Sequence, residues 1–384
     1  MRFVLFCHSL RSDWNHGNAH FLRGVTRELI ARGHAVTVYE PEDAWSAVSL
    51  RAERGDEPFR RFEAAYPELR SVLYDVDRVP LGPILDAADV VLVHEWNDPR
   101  LVRRIGREKR PGSRLFFHDT HHRAASRPAE MRGYDLSRYD GVLAFGQVIR
   151  DRYLEQGWAP AAWTWHEAAD TSRFHPLPPE EPRGDLVWIG NWGDEERTAE
   201  LETFLLGPAR DLGLAPDLYG VRYPEAAVAP LREAGARYHG WLANFDVPRI
   251  FARHRFTVHV PRGPYARELP GIPTIRVFEA LACGIPLISA PWDDAEGLFT
   301  PGEDFMVVRD RTEAAAAMRL LREDSAAAAA LAAHGLKRIR ERHTCAHRVD
   351  QLFQILREAG WPVGASAPRA ASSGGARPTR EVVA

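Results

Sequence analysis

The sequence has few cysteines and almost no lysine. Three cysteines in 384 residues, Cys7, Cys283 and Cys345, are too few and too scattered for a disulfide framework or a cysteine-based zinc site. They are typical of a reducing compartment, so we expect a cytoplasmic protein. Of the 50 basic residues, only Lys109 and Lys337 are lysines. Chemistry that depends on an active-site lysine, such as a pyridoxal Schiff base, therefore has few candidates.

Long apolar runs and an excess of basic charge are also missing. No run approaches the roughly 20 apolar residues that a membrane-spanning helix needs. The chain passes from Met1 straight into the strand-like residues 2–6, with no cleavage site after a hydrophobic core. We therefore expect neither a transmembrane segment nor a signal peptide. With 53 acidic against 50 basic residues, the composition also disfavours a nucleic-acid-binding protein.

The length and the 45% hydrophobic content predict a globular chain of about two domains. In the first part, apolar residues recur at helical spacing over residues 19–32, and residues 42–80 are predicted to form a mostly helical insertion. Short apolar runs predict strands at residues 3–7, 35–39, 89–93, 114–117 and 141–145. This alternation favours an α/β fold with a doubly wound parallel sheet.

A second alternating set follows a proline-rich stretch, residues 175–182, which breaks both helix and strand and is predicted to be a linker. Its predicted strands are residues 185–190, 256–260, 285–289 and 305–308. We predict one Rossmann-like domain over residues 1–172 and another over residues 183–344. Residues 363–384 are rich in Gly, Ser, Ala, Pro and Arg without periodicity, which predicts a disordered tail.

In open α/β sheets, ligands bind beyond the carboxyl ends of the strands, so site residues are expected directly after each strand. A helix predicted over residues 273–282 would present the N-terminal amides near Thr274 to an anion such as a diphosphate. Arg276 would add a positive charge in its first turn. Glu279 follows on nearly the same face, where its carboxylate could accept hydrogen bonds from the two hydroxyls of a ribose. The alternative is an ordinary surface Arg–Glu pair.

Four segments of the chain resemble GT-B glycosyltransferases. Residues 276–289 resemble the nucleotide-sugar motif of the family-4-like group, and most of all that of the CgeB-type spore-maturation proteins. Residues 297–304 resemble the next loop and strand, residues 167–176 the hinge element, and residues 17–38 the first βαβ unit. The four segments occur in the family's order and cover roughly residues 1–345.

The resemblance implies two Rossmann-like domains facing a cleft, with a C-terminal helix, residues 345–362, that crosses back to the N-terminal domain. The N-terminal domain would bind the acceptor and the C-terminal domain a nucleotide-diphosphate sugar. That donor is a co-substrate, and the resemblance implies no cofactor and no metal. Helix dipole and basic side chains would stabilise the departing diphosphate. The implied activity is sugar transfer to an unidentified glycan, lipid, protein or small molecule.

The sequence departs from the family on the donor side. The family's paired glutamates lie eight residues apart, but Gly271 stands where the partner of Glu279 is expected. This difference leaves the donor sugar and the stereochemical outcome open. The usual arginine–lysine pair for the diphosphate lacks its lysine. Arg262 and Arg267, which follow the strand at residues 256–260, are the predicted substitutes, unless they are solvated loop charges.

Gly190 and Asn191 follow the first strand of the second domain. They resemble the glycine turn that brings the family's backbone close to the donor. Gly17 is predicted to face the same cleft from the N-terminal domain. The related family-1 transferases carry a histidine base near this position, but Asn18 stands there, so no catalytic role is transferred to it.

The candidate catalytic residues of the first domain follow two strands. His94 follows one strand, and His118 with Asp119 follows the other. A histidine with a near-neutral pKa, oriented by a carboxylate, is a natural base for an acceptor hydroxyl. Alternatively, His118 only binds the sugar, or it is a structural residue at the strand end. The histidines around it also leave a metal site as a further alternative.

Two other functions remain open at this stage. A nucleotide-sugar 2-epimerase would use the same cleft without an acceptor. A catalytically degenerate scaffold or binding protein would be consistent with Gly271 in place of the expected glutamate.

Overall fold

The computed structural model describes residues 1–181, 183–193 and 196–361. Its N-terminal part is built on a parallel sheet of seven strands in the order β3-β2-β1-β4-β5-β6-β7. The strands are β1 (Arg2–Phe6), β2 (Ala35–Pro41), β3 (Ser71–Tyr74), β4 (Val90–His94), β5 (Arg114–Asp119), β6 (Gly141–Ala144) and β7 (Ala162–Thr164). The strand order reverses at β1, so the topological switch point lies between β1 and β4.

Eight helices connect these strands and cover both faces of the sheet. They are α1 (Ala19–Ala31), α2 (Trp45–Arg54), α3 (Glu57–Ala65), α4 (Leu81–Asp86), α5 (Pro99–Arg107), α6 (Arg123–Ser126), α7 (Pro128–Met131) and α8 (Gln147–Glu155). Because both faces are covered, all five residues of β4 are buried. Side chains of β1 alternate between the two cores: Phe3 and Leu5 pack on the α1 side, and Val4 and Phe6 pack on the other.

The second part contains a parallel sheet of six strands in the order β10-β9-β8-β11-β12-β13. The strands are β8 (Gly184–Ile189), β9 (Asp217–Tyr219), β10 (Arg237–Tyr238), β11 (His254–His259), β12 (Leu287–Ser289) and β13 (Met306–Val307). Its helices are α9 (Thr198–Leu201), which runs through a π-helical turn (Glu202–Leu206) into α10 (Gly207–Asp211), α11 (Val228–Glu233), α12 (Val247–Ala252), α13 (Gly263–Arg267), α14 (Ile275–Ala282), α15 (Arg311–Glu323) and α16 (Ser325–Arg342). Short 3-10 turns occur at Glu225–Ala227 and Asn244–Asp246.

The last helix, α17 (Cys345–Glu358), returns to the N-terminal sheet and packs on α1. A Cβ at Gly24 of α1 would lie 3.3 Å from Cβ of Cys345, so glycine permits this close approach. Nε1 of Trp165 donates to the carbonyl of Arg348, and the Arg348 guanidinium donates to the carbonyl of His166. These contacts confirm the crossover helix that the resemblance implied.

The fold class is as predicted, but the sequence analysis missed four strands. Residues 42–80 contain β3 in addition to the helices α2 and α3, and β7, β9 and β10 were also overlooked. All four strands have two to four residues; β3, β7 and β10 are edge strands, and β9 lies beside β10. Val72 and Leu73 of β3 are exposed, so the apolar run that marks a buried strand is absent there. The predicted tail, residues 363–384, lies outside the described residues.

Within the described ranges, no helix is long and apolar enough to cross a membrane.

Candidate functional site

A cleft of about 640 Å³ lies between the two sheets, at the carboxyl ends of their strands. The N-terminal wall is formed by the loops after β1, β4 and β5, and the C-terminal wall by the loops after β8 and β11 and the start of α14. Parallel strands end at the same edge, so both sheets direct their loops into one space.

Five of the residues predicted to hold the donor line this cleft: Gly190, Asn191, Arg262, Thr274 and Arg276. A Cβ at Gly190 would lie 2.7 Å from the Trp188 ring, so the position requires glycine. The Asn191 side-chain amide donates across the cleft to Asn15 of the N-terminal domain.

The two arginines after β11 differ in their placement. Nε of Arg262 donates to Oε2 of Glu196 at 2.6 Å, and both residues line the cleft. Arg267 is exposed, does not line the cleft, and lies 3.9 Å from Glu200. The predicted pair of diphosphate-binding arginines is therefore not brought together. The reason is that Arg262 precedes α13 whereas Arg267 is its last residue.

The start of α14 opens into the cleft without a side-chain cap. Thr274 is its N-cap residue, but Oγ1 of Thr274 lies 3.0 Å from Nε2 of His259 and not on an amide of the helix. Nδ1 of His259 lies 2.9 Å from Oγ of Ser289. Burial and the positive charge of Arg197 lower the pKa of His259 to about 3, so the ring is neutral. The amide of Val277 donates to the carbonyl of Thr274, so the amides of Ile275 and Arg276 ahead of it are the ones that could bind an anion.

Glu279 does not lie on the cleft surface, contrary to the expectation that it is available to a ligand. Its side chain is fully buried. Nδ2 of Asn244 donates to Oε1 at 2.6 Å, and Arg276 pairs with Oε2. Nδ1 of His20 lies 3.3 Å from Oε1. Arg276, which is partly exposed, stands between this carboxylate and the cleft.

Gly17 and Asn18 line the cleft as predicted. A Cβ at Gly17 would lie 3.2 Å from Cγ2 of Ile275, so this loop closely approaches the first residue of α14. The Asn18 amide donates to the side chain of Thr120, which also lines the cleft. The loop therefore links the two walls.

The three predicted catalytic residues lie beneath the cleft wall instead of on it. His118 packs against the Trp165 ring at 4.8 Å, whereas Asp119 accepts a hydrogen bond from the hydroxyl of Tyr153 at 2.7 Å. Consecutive residues of a strand point to opposite faces, so His118 and Asp119 do not form the expected pair. His94 instead lies 2.9 Å from Oε2 of Glu95.

Burial sets the protonation of these groups. It lowers the pKa of His94 to about 3 and that of His118 well below its usual value. Burial, with the charge of Glu95, raises the pKa of Asp119 to about 7. A histidine with a near-neutral pKa, as the sequence analysis expected, is therefore not found at any of these positions.

His94 does reach the cleft through Thr120. Its Nε2 lies 3.1 Å from Oγ1 of Thr120, which also donates to Oε1 of Glu95 at 3.1 Å. Asp119 accepts the backbone amide of His121, another cleft residue. These contacts make His94 and Asp119 supports for the residues that face the cleft.

Sequence reasoning missed a half-buried arginine on the C-terminal wall. Nη1 of Arg197 donates to the carbonyl of Val260 at 2.6 Å, and its guanidinium lies 5.2 Å from the centre of the Trp188 ring. Burial lowers the pKa of Arg197 to about 10, which leaves the side chain charged at neutral pH. In a chain with so many arginines, nothing in the local sequence distinguished this one.

Sequence reasoning also missed an aromatic surface on the N-terminal wall. Trp14, Trp45 and Trp96 line the cleft, with ring centres 6.4 Å apart for the first pair and 5.9 Å for the second. The Arg123 guanidinium lies over Trp96 at 4.3 Å. Trp14 and Trp96 lie in two different loops and Trp45 begins α2, so no sequence motif joins them.

Comparisons with known proteins fit this geometry. Residues 197–354 match a family model described as glycosyl transferase-like. No curated protein sequence matches the chain. HepE of Anabaena, solved in complex with UDP, has 13% sequence identity and a TM-score of 0.65, over 93% of this chain and 100% of that chain.

Two further solved structures are similar over almost their whole length. An alpha-glucosyltransferase in complex with UDP-glucose and DNA has 13% identity and a TM-score of 0.67, over 93% of this chain and 99% of that chain. Sucrose-phosphate synthase from Thermosynechococcus elongatus has 14% identity and a TM-score of 0.61, over 94% and 100%. At such identities the likeness is one of fold, the two-domain GT-B fold. Together with the family match of the second domain, it supports a glycosyltransferase.

Proposed function

We propose that the protein transfers a sugar from a nucleotide-diphosphate donor to an acceptor bound in the same cleft, without a metal ion. The observation that carries this proposal is the uncapped start of α14, which opens into the cleft beside three arginines, Arg197, Arg262 and Arg276. Free amides and guanidinium groups match the charge of a diphosphate and stabilise it as a leaving group. The UDP and UDP-glucose in the similar structures support uridine as the nucleoside of the donor.

Binding of the diphosphate would change the surroundings of Glu279. Arg276 pairs with Glu279 in the free protein, and a diphosphate at the start of α14 would compete for its guanidinium. Once Arg276 turned to the phosphates, Oε2 of Glu279 would need a new donor. A ribose hydroxyl would satisfy that buried oxygen. We therefore propose that Glu279 holds the ribose after this exchange of partners.

The acceptor would occupy the N-terminal side of the cleft. The tryptophan surface offers it wide, rigid ring faces, and Gly17 and Asn18 lie next to this surface. His94 and Asp119 would keep Thr120 and His121 in place there, and His118 would fill the core beneath them. Residues 276–289 support a place near the CgeB-type group, and the three buried, free cysteines are compatible with a reducing cytoplasm.

A panel of UDP, GDP, ADP and dTDP, each free and as its glucose conjugate, tests this proposal by thermal shift. We expect one base to raise the melting temperature, both free and as its conjugate. Glu279→Ala should abolish the shift, while Glu323→Ala, an exposed glutamate at the end of α15, should preserve it. No shift with any compound would overturn the proposal. Clean isomerisation of the donor without acceptor would indicate the 2-epimerase instead.

A further inference from the structure

Glu167 lies in the hinge between β7 and the second domain, and it lines the cleft from the N-terminal side. The residue is only 5% exposed, yet Oε1 of its carboxyl has no hydrogen-bond partner. Leaving a buried polar atom unpaired costs folding free energy, so such a group calls for an explanation. The buried carboxylate of Asp304, by contrast, has a partner: its Oδ1 lies 2.7 Å from Nδ1 of His334.

Among the described residues, three glutamates line the cleft, and two of them are already paired. Glu196 accepts from Arg262 at 2.6 Å, and Glu130 accepts from Arg127 at 3.4 Å. Glu167 is the remaining one. It is therefore the carboxyl on this surface that is available to a ligand.

A fourth carboxyl lies close by but is fully used. Glu296 fills the space beside Gly271, where a Cβ would lie 2.5 Å from Cγ of Glu296. Oε1 of Glu296 accepts the amide of Gln147 at 2.7 Å, and Oε2 lies 2.8 Å from Nε2 of His166. Gly271 has no side-chain carboxyl, and both oxygens of Glu296 already have partners. Neither residue therefore offers a free carboxyl to a bound sugar.

The charge around Glu167 indicates which part of a ligand it meets. Burial, together with the charges of Glu279 and Glu95, raises the pKa of Glu167 well above its usual value, whereas Arg276 acts in the opposite direction. The carboxyl thus lies near both side chains of the proposed nucleotide site. A carboxyl would repel or fail to stabilise the diphosphate. It pairs well with hydroxyls, because it can donate one hydrogen bond and accept another.

We propose that the carboxyl of Glu167 binds hydroxyl groups of the transferred sugar, so that the hinge completes the donor site opened by the C-terminal domain. This inference rests on the proposed function. It assigns the nucleotide to α14 and the sugar to the opposite wall. The two halves of the donor would then be held by different domains. The whole molecule would bind only when the two domains face each other across the cleft.

Calorimetric titration separates the two halves. The free nucleotide and the nucleotide sugar that stabilise the wild type most in the panel are titrated into the wild type, Glu167→Met and Glu167→Gln. We expect Glu167→Met to bind the free nucleotide within twofold of the wild type. Its affinity for the nucleotide sugar, and its rate of donor hydrolysis without acceptor, should fall about tenfold or more, as the loss of a hydrogen bond to a buried carboxyl predicts.

Glu167→Gln, which keeps a donor and an acceptor, should recover part of this loss. Glu167→Met should not melt below the wild type, because it removes a buried oxygen that has no hydrogen-bond partner. Asp304→Asn is the control: it removes a paired buried carboxylate, should lower the melting temperature, and should leave the ratio of the two affinities unchanged.

The outcomes distinguish the two proposals. If the wild type binds nucleotide and Glu167→Met matches it in nucleotide-sugar affinity and hydrolysis, the role of Glu167 is refuted and the proposed function stands. If no nucleotide binds the wild type, both proposals fail.

Discussion

Nδ1 of His20 lies 3.3 Å from Oε1 of Glu279, although the two residues belong to different domains. Both side chains are buried. Nε2 of His20 accepts the backbone amide of Asp170 in the hinge, so the proton of the neutral ring lies on Nδ1. Among the described residues Nδ1 has no hydrogen-bond partner, although Oε1 of Glu279 lies beside it. The proposed ribose-binding carboxylate thus lies against an imidazole that the hinge holds in place.

Replacement of His20 should weaken nucleotide binding without removing any group from the cleft surface. We expect His20→Ala to raise the dissociation constant of the nucleotide by about tenfold, equivalent to ~1.4 kcal/mol. The reason is that His20 lies against Glu279 across the two domains, and the substitution removes this contact. Calorimetry measures the affinity, and small-angle scattering reports the accompanying opening. His20→Gln, which can still donate, should lie closer to the wild type, and equal affinity in His20→Ala would contradict this account.

Adding a side chain at position 271, which is a glycine, should destabilise the protein. Gly271 has φ +85°, and its missing Cβ would meet Glu296. Gly297 is the matched control, since it has φ +62° but no atom within 4 Å of its Cβ position. Gly297→Ala should cost about 1 kcal/mol for the left-handed backbone alone. Gly271→Ala should cost about 1–3 kcal/mol more from overpacking. Denaturant unfolding measures both, and equal losses would show that Glu296 moves away freely.

Acid should destabilise the start of α14 through His259. The pKa of His259 is about 3 in the folded protein against about 6.5 in the unfolded chain. Its contribution is therefore complete above pH 6.5 and is lost as the pH falls from there towards 3. At pH 5 the loss is about 2 kcal/mol. The melting temperature of His259→Gln should consequently fall less between pH 7.5 and pH 5 than that of the wild type, and parallel curves would argue against this prediction.

The two arginines that the sequence analysis treated alike should behave differently. Arg276 lines the cleft at the start of α14, whereas Arg267 is exposed outside it. Arg276→Ala should weaken binding of the free nucleotide by about tenfold or more, because a charged hydrogen bond to the diphosphate is lost. Arg267→Ala should change it far less. A titration of both variants with the same nucleotide checks the order, and a larger effect at Arg267 would return that residue to the donor site.

The sequence predicted the longer buried strands and missed the short ones. Strands such as β4 and β5 are buried on both faces, so their apolar runs were visible in the sequence. The short strands β9 and β10 carry charged or exposed residues, which conceal them. The end of α14 was also predicted correctly, since Gly284 follows it with φ +65°.

The candidate site was predictable where its residues directly follow a predicted strand or begin a predicted helix. Thr274 and Arg276 lie in one turn, and their approach to the cleft follows from a single helix. Glu167, Arg197 and the three tryptophans come from separate segments, so their proximity depends on how the two sheets face each other. The pairing of His118 with Asp119 was wrong because adjacent residues of a strand point to opposite faces.

The sequence by itself determined two parallel α/β units, the helix α14, and a near-neutral balance of charge with hardly any lysine. Those properties follow from local periodicity and composition. Only the tertiary structure decided which charged groups are satisfied. It placed Arg276 on Glu279 and Glu296 on His166, and it left Glu167 unpaired. Hydrogen bonds between distant segments depend on the arrangement of the two domains, and local sequence patterns do not predict that arrangement.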